Sequence, residues 1–319
     1  MTRSKFYRIS SIQGHSLDNC FVMVERSPYE DFKDVEMNTW VLIHLSKDSI
    51  VPLVSGAGDV SSLWVSPKGV VYLIATHEQG YGLHIGQPTS TGYEWQWQVI
   101  THQAHTYVTN VWGLSEEIVF VWGGGVLSPD AYPDPATRPN MDDPYCWLKQ
   151  RDGWHTYPTP GWIYTLHGRD PLTITAVGNR GLAARWQTDH WESLLSPPID
   201  LGFVQVTPSL ETYGASYYGK LFTYLPSSGW KRIGADLGFI TGLASWKNEI
   251  FILLSQGLFR LEGERPVLIH PSVYPQNLIA GDSLLWNDDV HLYEWSTSGD
   301  RRLACSTIFA STEKFVPSN

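Results

Sequence analysis

Leu63–Ala75 reads LWVSPKGVVYLIA, and Val111–Gly123 reads VWGLSEEIVFVWG. Two further stretches, LASWKNEIFILLS (Leu243–Ser255) and LLWNDDVHLYEWS (Leu284–Ser296), follow the same plan. Each is a short apolar strand, a polar turn and a second, more apolar strand. A glycine and a third strand often follow, as in GYGLHIG after the first stretch and GLFRLEG after the third. GNRGLAARWQ (Gly178–Gln187) and YYGKLFTYLP (Tyr217–Pro226) are third strands of this kind. A fourth strand opens on a tryptophan in RDGWHTYP, TDHWESLL and SSGWKRIG.

A four-stranded unit of this sort has two apolar faces and buries neither until similar units stack on both sides. Such stacking defines the blades of a β-propeller, whose radial repetition leaves only short, protected edges. A tryptophan at the head of the outer strand is large enough to fill the gap that widens between blades. First strands start near Ile12, Leu63, Val111, Tyr164, Val204, Leu243 and Leu284, a spacing of about 40 to 50 residues. The reading is an all-β, seven-bladed β-propeller occupying residues 1–319 as a single domain, with six or eight blades as alternatives because the first and last units are the least regular. A pair of β-sandwiches accounts poorly for the even spacing. Blade seven is read as Gly281–Trp286, Val290–Trp295 and Arg302–Ile308, one strand short. Lys5–Ile9 is expected to supply that strand, so that the N-terminal strand closes the last blade.

The pieces RDGW (Arg151–Trp154), TDHW (Thr188–Trp191) and SSGW (Ser227–Trp230) resemble degenerate Asp-box repeats of sialidase-type propellers. The full pattern S-x-D-x-G-x-x-W is intact nowhere in the chain. The resemblance therefore implies the fold and not the chemistry, since one fold hosts many functions.

Composition agrees with an all-β protein that has a large core. Hydrophobic residues make up 42% and charged residues 17%, with 15 Trp and 16 Tyr. The net charge of −10 argues against nucleic acid as the main partner, because a phosphate backbone demands a basic footprint. Cys20, Cys146 and Cys305 are far apart and form no CxxC pair, so neither a zinc site nor a disulfide framework is indicated. The N-terminal MTRSKFYRISSIQGHS lacks the apolar core of a signal peptide, and no apolar run approaches the ~20 residues that span a bilayer. A cytoplasmic protein without membrane attachment is expected.

Two insertions interrupt the repeat, each between the second and third strands of a blade. Residues 26–38 read RSPYEDFKDVEMN and residues 124–145 read GGVLSPDAYPDPATRPNMDDPY. Long loops on a rigid scaffold are where binding residues concentrate. These loops mix acids with aromatics: Tyr29, Asp31, Phe32 and Asp34 in the first, and Tyr132, Asp134, Asp142 and Asp143 in the second. Acidic charge would steer a basic protein partner and the rings would anchor it. The competing reading is a pair of solvated loops whose aromatics fold back on the scaffold. DAYPDPATRPNMDD lacks the alternating ligand spacing and glycine turn of a calcium loop, so no metal is assigned.

Catalytic signatures are missing. There is no GxSxG elbow and no GxxxxGK[ST] loop, and Gly123–Gly125 leads into a proline-rich loop where a phosphate cradle would need a helix. His102 and His105 form the one close histidine pair, on a linker without a third ligand. His15, His77, His84, His167 and His291 could each reach a propeller's channel or face. A sialidase-like hydrolase would need an arginine cluster, a tyrosine nucleophile and a carboxylate. Arg169 and Arg180 lie near inner strands, but the sequence does not join them into one site.

The expectation is a non-catalytic protein-binding propeller with no cofactor. In its most specific form it is a bacterial immunity protein that occludes the active site of a basic antibacterial toxin. The alternatives are an enzyme acting on a glycan or small ligand at the channel, and a general assembly scaffold.

Overall fold

The computed structural model describes residues 6–28, 38–58, 60–77, 80–98, 108–124 and 144–313. Seven four-stranded antiparallel sheets form the blades of a seven-bladed β-propeller, and in each sheet the strands pair in sequence order. Blade one comprises Phe6–Ser16, Asn19–Ser27, Thr39–Ser46 and Ser49–Ala57, and blade two Val60–Val65, Val71–His77, Gly80–Thr89 and Gly92–Gln98. Blade three is built from Val108–Ser115, Ile118–Gly124, Pro144–Gln150 and Gly153–Pro158. Blade four has Ile163–His167, Thr175–Gly178, Ala183–Gln187 and His190–Ser193. Blade five has Phe203–Val206, Thr212–Ala215, Leu221–Leu225 and Gly229–Ile233, and blade six Ile240–Trp246, Glu249–Leu254, Gly257–Glu262 and Arg265–Pro271. Gln276–Ala280, Leu284–Asn287, His291–Ser296 and Gly299–Ala304 make blade seven, and a short helix, Cys305–Thr312, follows it. The sheets group into two compact units, blades one, two and seven in one and blades three to six in the other.

The unbroken apolar runs have a simple cause. In blade one, Cys20, Val22 and Val24 share a core with Leu285 and Leu292 of blade seven. The alternating residues Phe21 and Met23 share a different core with Leu63, Val71 and Leu73 of blade two. A strand buried on both faces has no polar side, so its sequence reads as a continuous hydrophobic run and not as an alternation. Blade four repeats the pattern, with Ala176 and Ala184 facing blade three and Val177 and Ala183 facing blade five. Each fully buried Val, Leu or Ile contributes about 1.5–3 kcal/mol, which makes these middle strands the main source of stability. Outer strands such as Gly92–Gln98 keep an exposed face and alternate.

Tryptophans at the heads of outer strands fill gaps between blades as expected at two of the three positions. Trp191 packs with Trp186 of its own blade and Phe120 of blade three. Trp230 lies against the core shared by blades four and five. Trp154 is only partly buried and joins neither cluster.

The expected closure by the N-terminal strand is overturned. Phe6–Ser16 is one strand of blade one, with Ile9 opposite Val24 and Phe6 opposite Ser27. Blade seven takes all four strands from its own stretch of chain. Its first strand, Gln276–Ala280, pairs with an irregular register and carries too little apolar pattern to stand out in the sequence. That moved the expected blade one strand too late. Leu284 therefore starts a second strand, and the segment Arg302–Ile308 is the end of a fourth strand followed by a helix turn.

Side chains and the helix make the seam between blades seven and one. Ser283 donates to the His15 carbonyl from its backbone N at 3.0 Å. Asn277 Nδ2 donates to the Ile9 carbonyl at 3.3 Å. Buried Glu294 accepts from Ser283 Oγ at 2.7 Å, and Arg301 forks onto Asp18 at 2.7 and 2.8 Å. The helix then lays Ile308 into the blade-one core, and its Phe309 stacks on Tyr7 with ring centres 5.2 Å apart.

Candidate functional site

In blades three to six, the turns between second and third strands are hydrogen-bonded to the connectors between blades. Thr159 N donates to Pro144 O at 3.1 Å, Asn179 N to Trp162 O at 3.1 Å and Ile240 N to Tyr217 O at 3.0 Å. These bonds gather the turns and connectors at one end of the blades, the end from which the 124–145 insertion departs.

An aromatic patch occupies that end. Tyr164 and Phe203 open the first strands of blades four and five, Tyr217 and Tyr218 sit in the turn of blade five, and Phe239 precedes blade six. Tyr217 is the centre, 6.3 Å from the Tyr164 ring, 5.0 Å from Phe203 and 6.4 Å from Phe239. Tyr164, Tyr217 and Phe239 are 40%, 39% and 54% exposed, and Tyr218 reaches 83%. Contiguous exposed rings of this kind mark interaction surfaces, whereas scattered ones do not.

The backbone explains why the rings cannot retreat. The Ser216–Lys220 turn is closed by Ser216 N to Lys220 O at 2.9 Å, and Leu237 N donates to Gly219 O at 3.0 Å. Gly219 is left-handed (φ 86°), and a Cβ there would meet the Gly238 carbonyl oxygen at 2.2 Å. Tyr217 lies flat on Gly202, where a Cβ would come within 2.5 Å of its ring. Burial pushes the Tyr164 and Tyr217 phenols upward, with Asp200 adding to the shift at Tyr164, so both stay protonated donors.

A polar pocket of about 220 Å³ adjoins the patch in blade four. Its wall runs through Trp162, Asn179, Arg180, Leu182, Ser193 and Ser196. Asn179 fixes the wall twice, by the bond above and by accepting from Trp162 N at 3.0 Å through Oδ1. Gly181 N donates to Asp200 Oδ1 at 2.8 Å, so one carboxylate joins the pocket rim to the patch. Arg180 adopts a left-handed backbone (φ 52°, ψ 33°), which costs a non-glycine residue about 1–2 kcal/mol.

The acidic and aromatic residues singled out in the insertions, Tyr29, Asp31, Phe32, Asp34, Tyr132, Asp134, Asp142 and Asp143, all lie outside the described residues. So do His102 and His105. The strands flanking each insertion place it between the second and third strands of its blade.

The two arginines serve different ends of blade four. Arg169 Nε donates to the Val206 carbonyl at 2.8 Å and Nη2 to the Ser245 carbonyl at 3.3 Å, joining blades four, five and six. Beside it, His167 Nδ1 accepts from Val206 N at 3.0 Å and its ring packs on Trp112. Desolvation, followed by the Arg169 charge, holds the His167 pKa down to about 3. His84 is wedged between Trp40 and Trp97, His15 stands 4.0 Å from Asp282, and His291 neighbours Tyr293. His77 ends the second strand of blade two. Cys20, Cys146 and Cys305 are free and buried, and burial raises the Cys20 and Cys305 thiols to about 12. Among the described residues, no group of three or more His, Cys, Asp and Glu side chains could hold a metal ion. None of the described helices is long and apolar enough to cross a membrane.

Sequence reasoning placed YYGK at the start of a third strand and so missed the patch. The signal was a tyrosine pair directly before a glycine, a composition that favours a turn.

No protein-family model matches the chain, and no curated protein matches it. Solved structures do, at the level of fold. Pyrococcus horikoshii acylaminoacyl peptidase aligns with 96% of this chain at 12% identity and a TM-score of 0.63. The chain spans only 54% of that peptidase. YCF48 bound to D1 peptide aligns with 88% of this chain and 93% of its own at 13% identity, with a TM-score of 0.56. The WD40 β-propeller domain of Doa1 covers 89% of this chain and 94% of its own at 10% identity, with a TM-score of 0.54. Identities this low show a shared β-propeller fold and nothing finer.

Proposed function

We propose that this is a non-catalytic protein-binding propeller whose contact surface is the turn-and-connector end of blades three to six. The observation that carries the reading is the exposed cluster of Tyr164, Tyr217, Tyr218 and Phe239. Tyrosine and phenylalanine provide large, stiff contact area at low entropic cost, and such rings anchor interfaces. The strands that flank the 124–145 insertion, Ile118–Gly124 and Pro144–Gln150, meet at this end of blade three, and under this reading Tyr132, Asp134, Asp142 and Asp143 would join the surface. Insertion 26–38 of blade one, with Tyr29, Asp31, Phe32 and Asp34, has the same acidic and aromatic composition. Similar propeller folds give support by analogy: YCF48 is described with a bound D1 peptide, and another similar chain belongs to a Mitotic Checkpoint Complex.

The partner favoured by the acidic loops and the net charge of −10 is a basic protein. In the most specific form of the proposal, the partner is an antibacterial toxin acting in the cytoplasm, and the loops cover its active cleft.

A photo-crosslinking amino acid at position 218, with a control at Leu172, tests the surface in cells expressing the protein. Partner adducts at 218 and none at 172 support the assignment, and the opposite result ends it. Co-expression with products of neighbouring genes tests the toxin version. Rescue of growth supports it, and the absence of both rescue and complex removes it.

A further inference from the structure

We infer that the blade-four pocket is a carboxylate-binding site for the tip of a peptide segment that runs over the aromatic patch. The inference rests on the binding reading above and deepens it.

Position 180 is the central observation. Its backbone is left-handed, a conformation that glycine adopts without strain, yet an arginine stands there. Among the described residues the Arg180 guanidinium has no hydrogen-bond or ion-pair partner, whereas Arg232 is paired with Asp236 and Arg301 with Asp18. It lines a pocket whose wall is held on one side by the Asn179–Trp162 bonds and on the other by Leu194 N donating to Ala183 O at 2.9 Å. Strain held at a residue with an unspent charge is a pointer to ligand contact.

The lining selects the ligand class. A planar guanidinium with five donors matches a carboxylate in a bidentate fork. The Ser193 and Ser196 hydroxyls offer additional donors, and Leu182, Leu194 and Trp162 supply apolar wall for a short side chain. About 220 Å³ is small beside a cofactor or drug-sized site and suits one residue at the end of a segment. Asp200 is not part of the lining; its carboxylate is turned to the Gly181 amide. The preceding residues of such a segment would cross Tyr164 and Tyr217, which lie on the Asp200 side of the pocket.

The test is an amide-resolved NMR titration of the full chain with N-acetyl-Phe-Leu-Leu as the free acid and as the C-terminal amide, N-acetyl-Phe-Leu-Glu-amide and inorganic phosphate. The expected result is saturable movement of the Gly181 and Ser196 signals with an acid and at least tenfold weaker response to the uncharged amide. Preference between the first and third peptides assigns a terminal or a side-chain carboxylate. The Arg180→Gly variant relieves the backbone strain and so keeps the fold; it should lose the response, while Arg180→Lys should retain part of it. Equal response to the uncharged amide, a stronger response to phosphate, or an unchanged titration in Arg180→Gly overturns the assignment. Crosslinking at position 218 that persists alongside a silent titration removes only the pocket; absence of adducts from position 218 in the otherwise unaltered chain removes the binding reading itself.

Discussion

Arg26 Nη1 donates to the carbonyl oxygen of Thr312 at 3.2 Å, tying the second strand of blade one to the last turn of the C-terminal helix across 286 positions of sequence. A cation at a helix C-terminus meets carbonyls that no residue of the helix can satisfy. The bond is one part of a clasp whose apolar part is Ile308, fully buried among Ile9, Val24 and Val41.

Ile308→Ala should therefore destabilise the protein by about 2–5 kcal/mol, the usual range for emptying a buried aliphatic site. Urea unfolding would show it as a lower midpoint at constant slope. An unchanged midpoint would mean that the helix is dispensable for holding blades seven and one together.

Gly219→Ala should cost about 1–3 kcal/mol and also disturb the aromatic patch, because the new Cβ must displace the Gly238 carbonyl. Gly263→Ala is the matched control: its φ is also positive (61°), but a Cβ there meets nothing within 4 Å. Thermal melts of the two variants should separate, and only the first should lose crosslinking from position 218.

Acid should weaken the fold through His167. Its folded pKa is lowered from 6.5 to about 3, so between those values the unfolded chain binds a proton that the native state refuses. The contribution is intact above the unfolded pKa and is lost as pH falls from about 6.5 toward 3, by up to about 1.4 kcal/mol per pH unit. His167→Asn keeps an acceptor for the Val206 amide but has no titrating ring. Urea midpoints measured from pH 7 to pH 4 should fall less steeply in this variant.

Tyr218→Ser should leave stability within about 0.5 kcal/mol, since the ring is exposed, yet weaken partner binding about tenfold or more. Reversing the charge of Asp31, Asp34, Asp142 and Asp143 together should slow association with a basic partner and flatten its salt dependence. Surface plasmon resonance at two ionic strengths separates the two effects. A slower on-rate with an unchanged dissociation rate is expected for the charge variant, and a faster off-rate for Tyr218→Ser.

The blades were readable in the sequence because their middle strands are buried on both faces, which writes FVMV, VYLIA and IFILL as unbroken runs. The seam was not. Its work is done by Ser283, Asn277, Glu294 and Arg301, polar residues that each have a partner in blade one hundreds of positions away, which leaves no periodicity. Gln276–Ala280 was missed for a related reason: a first strand with an irregular register carries only Leu278 and Ile279 as apolar signal. The patch at Tyr217 was hidden by the opposite error, in which aromatic residues beside a strand were taken as part of it. The turn is fixed by Gly219 and the Ser216 hydroxyl, and glycine-turn chemistry outranks β-propensity there.

Every sheet is closed within its own stretch of chain. All strand pairing is thus between sequence neighbours, which keeps loop-closure costs low while each sheet forms. In this architecture strand pairing is local and the docking of finished sheets is the long-range step, so a change at a seam alters how sheets meet without re-registering a strand.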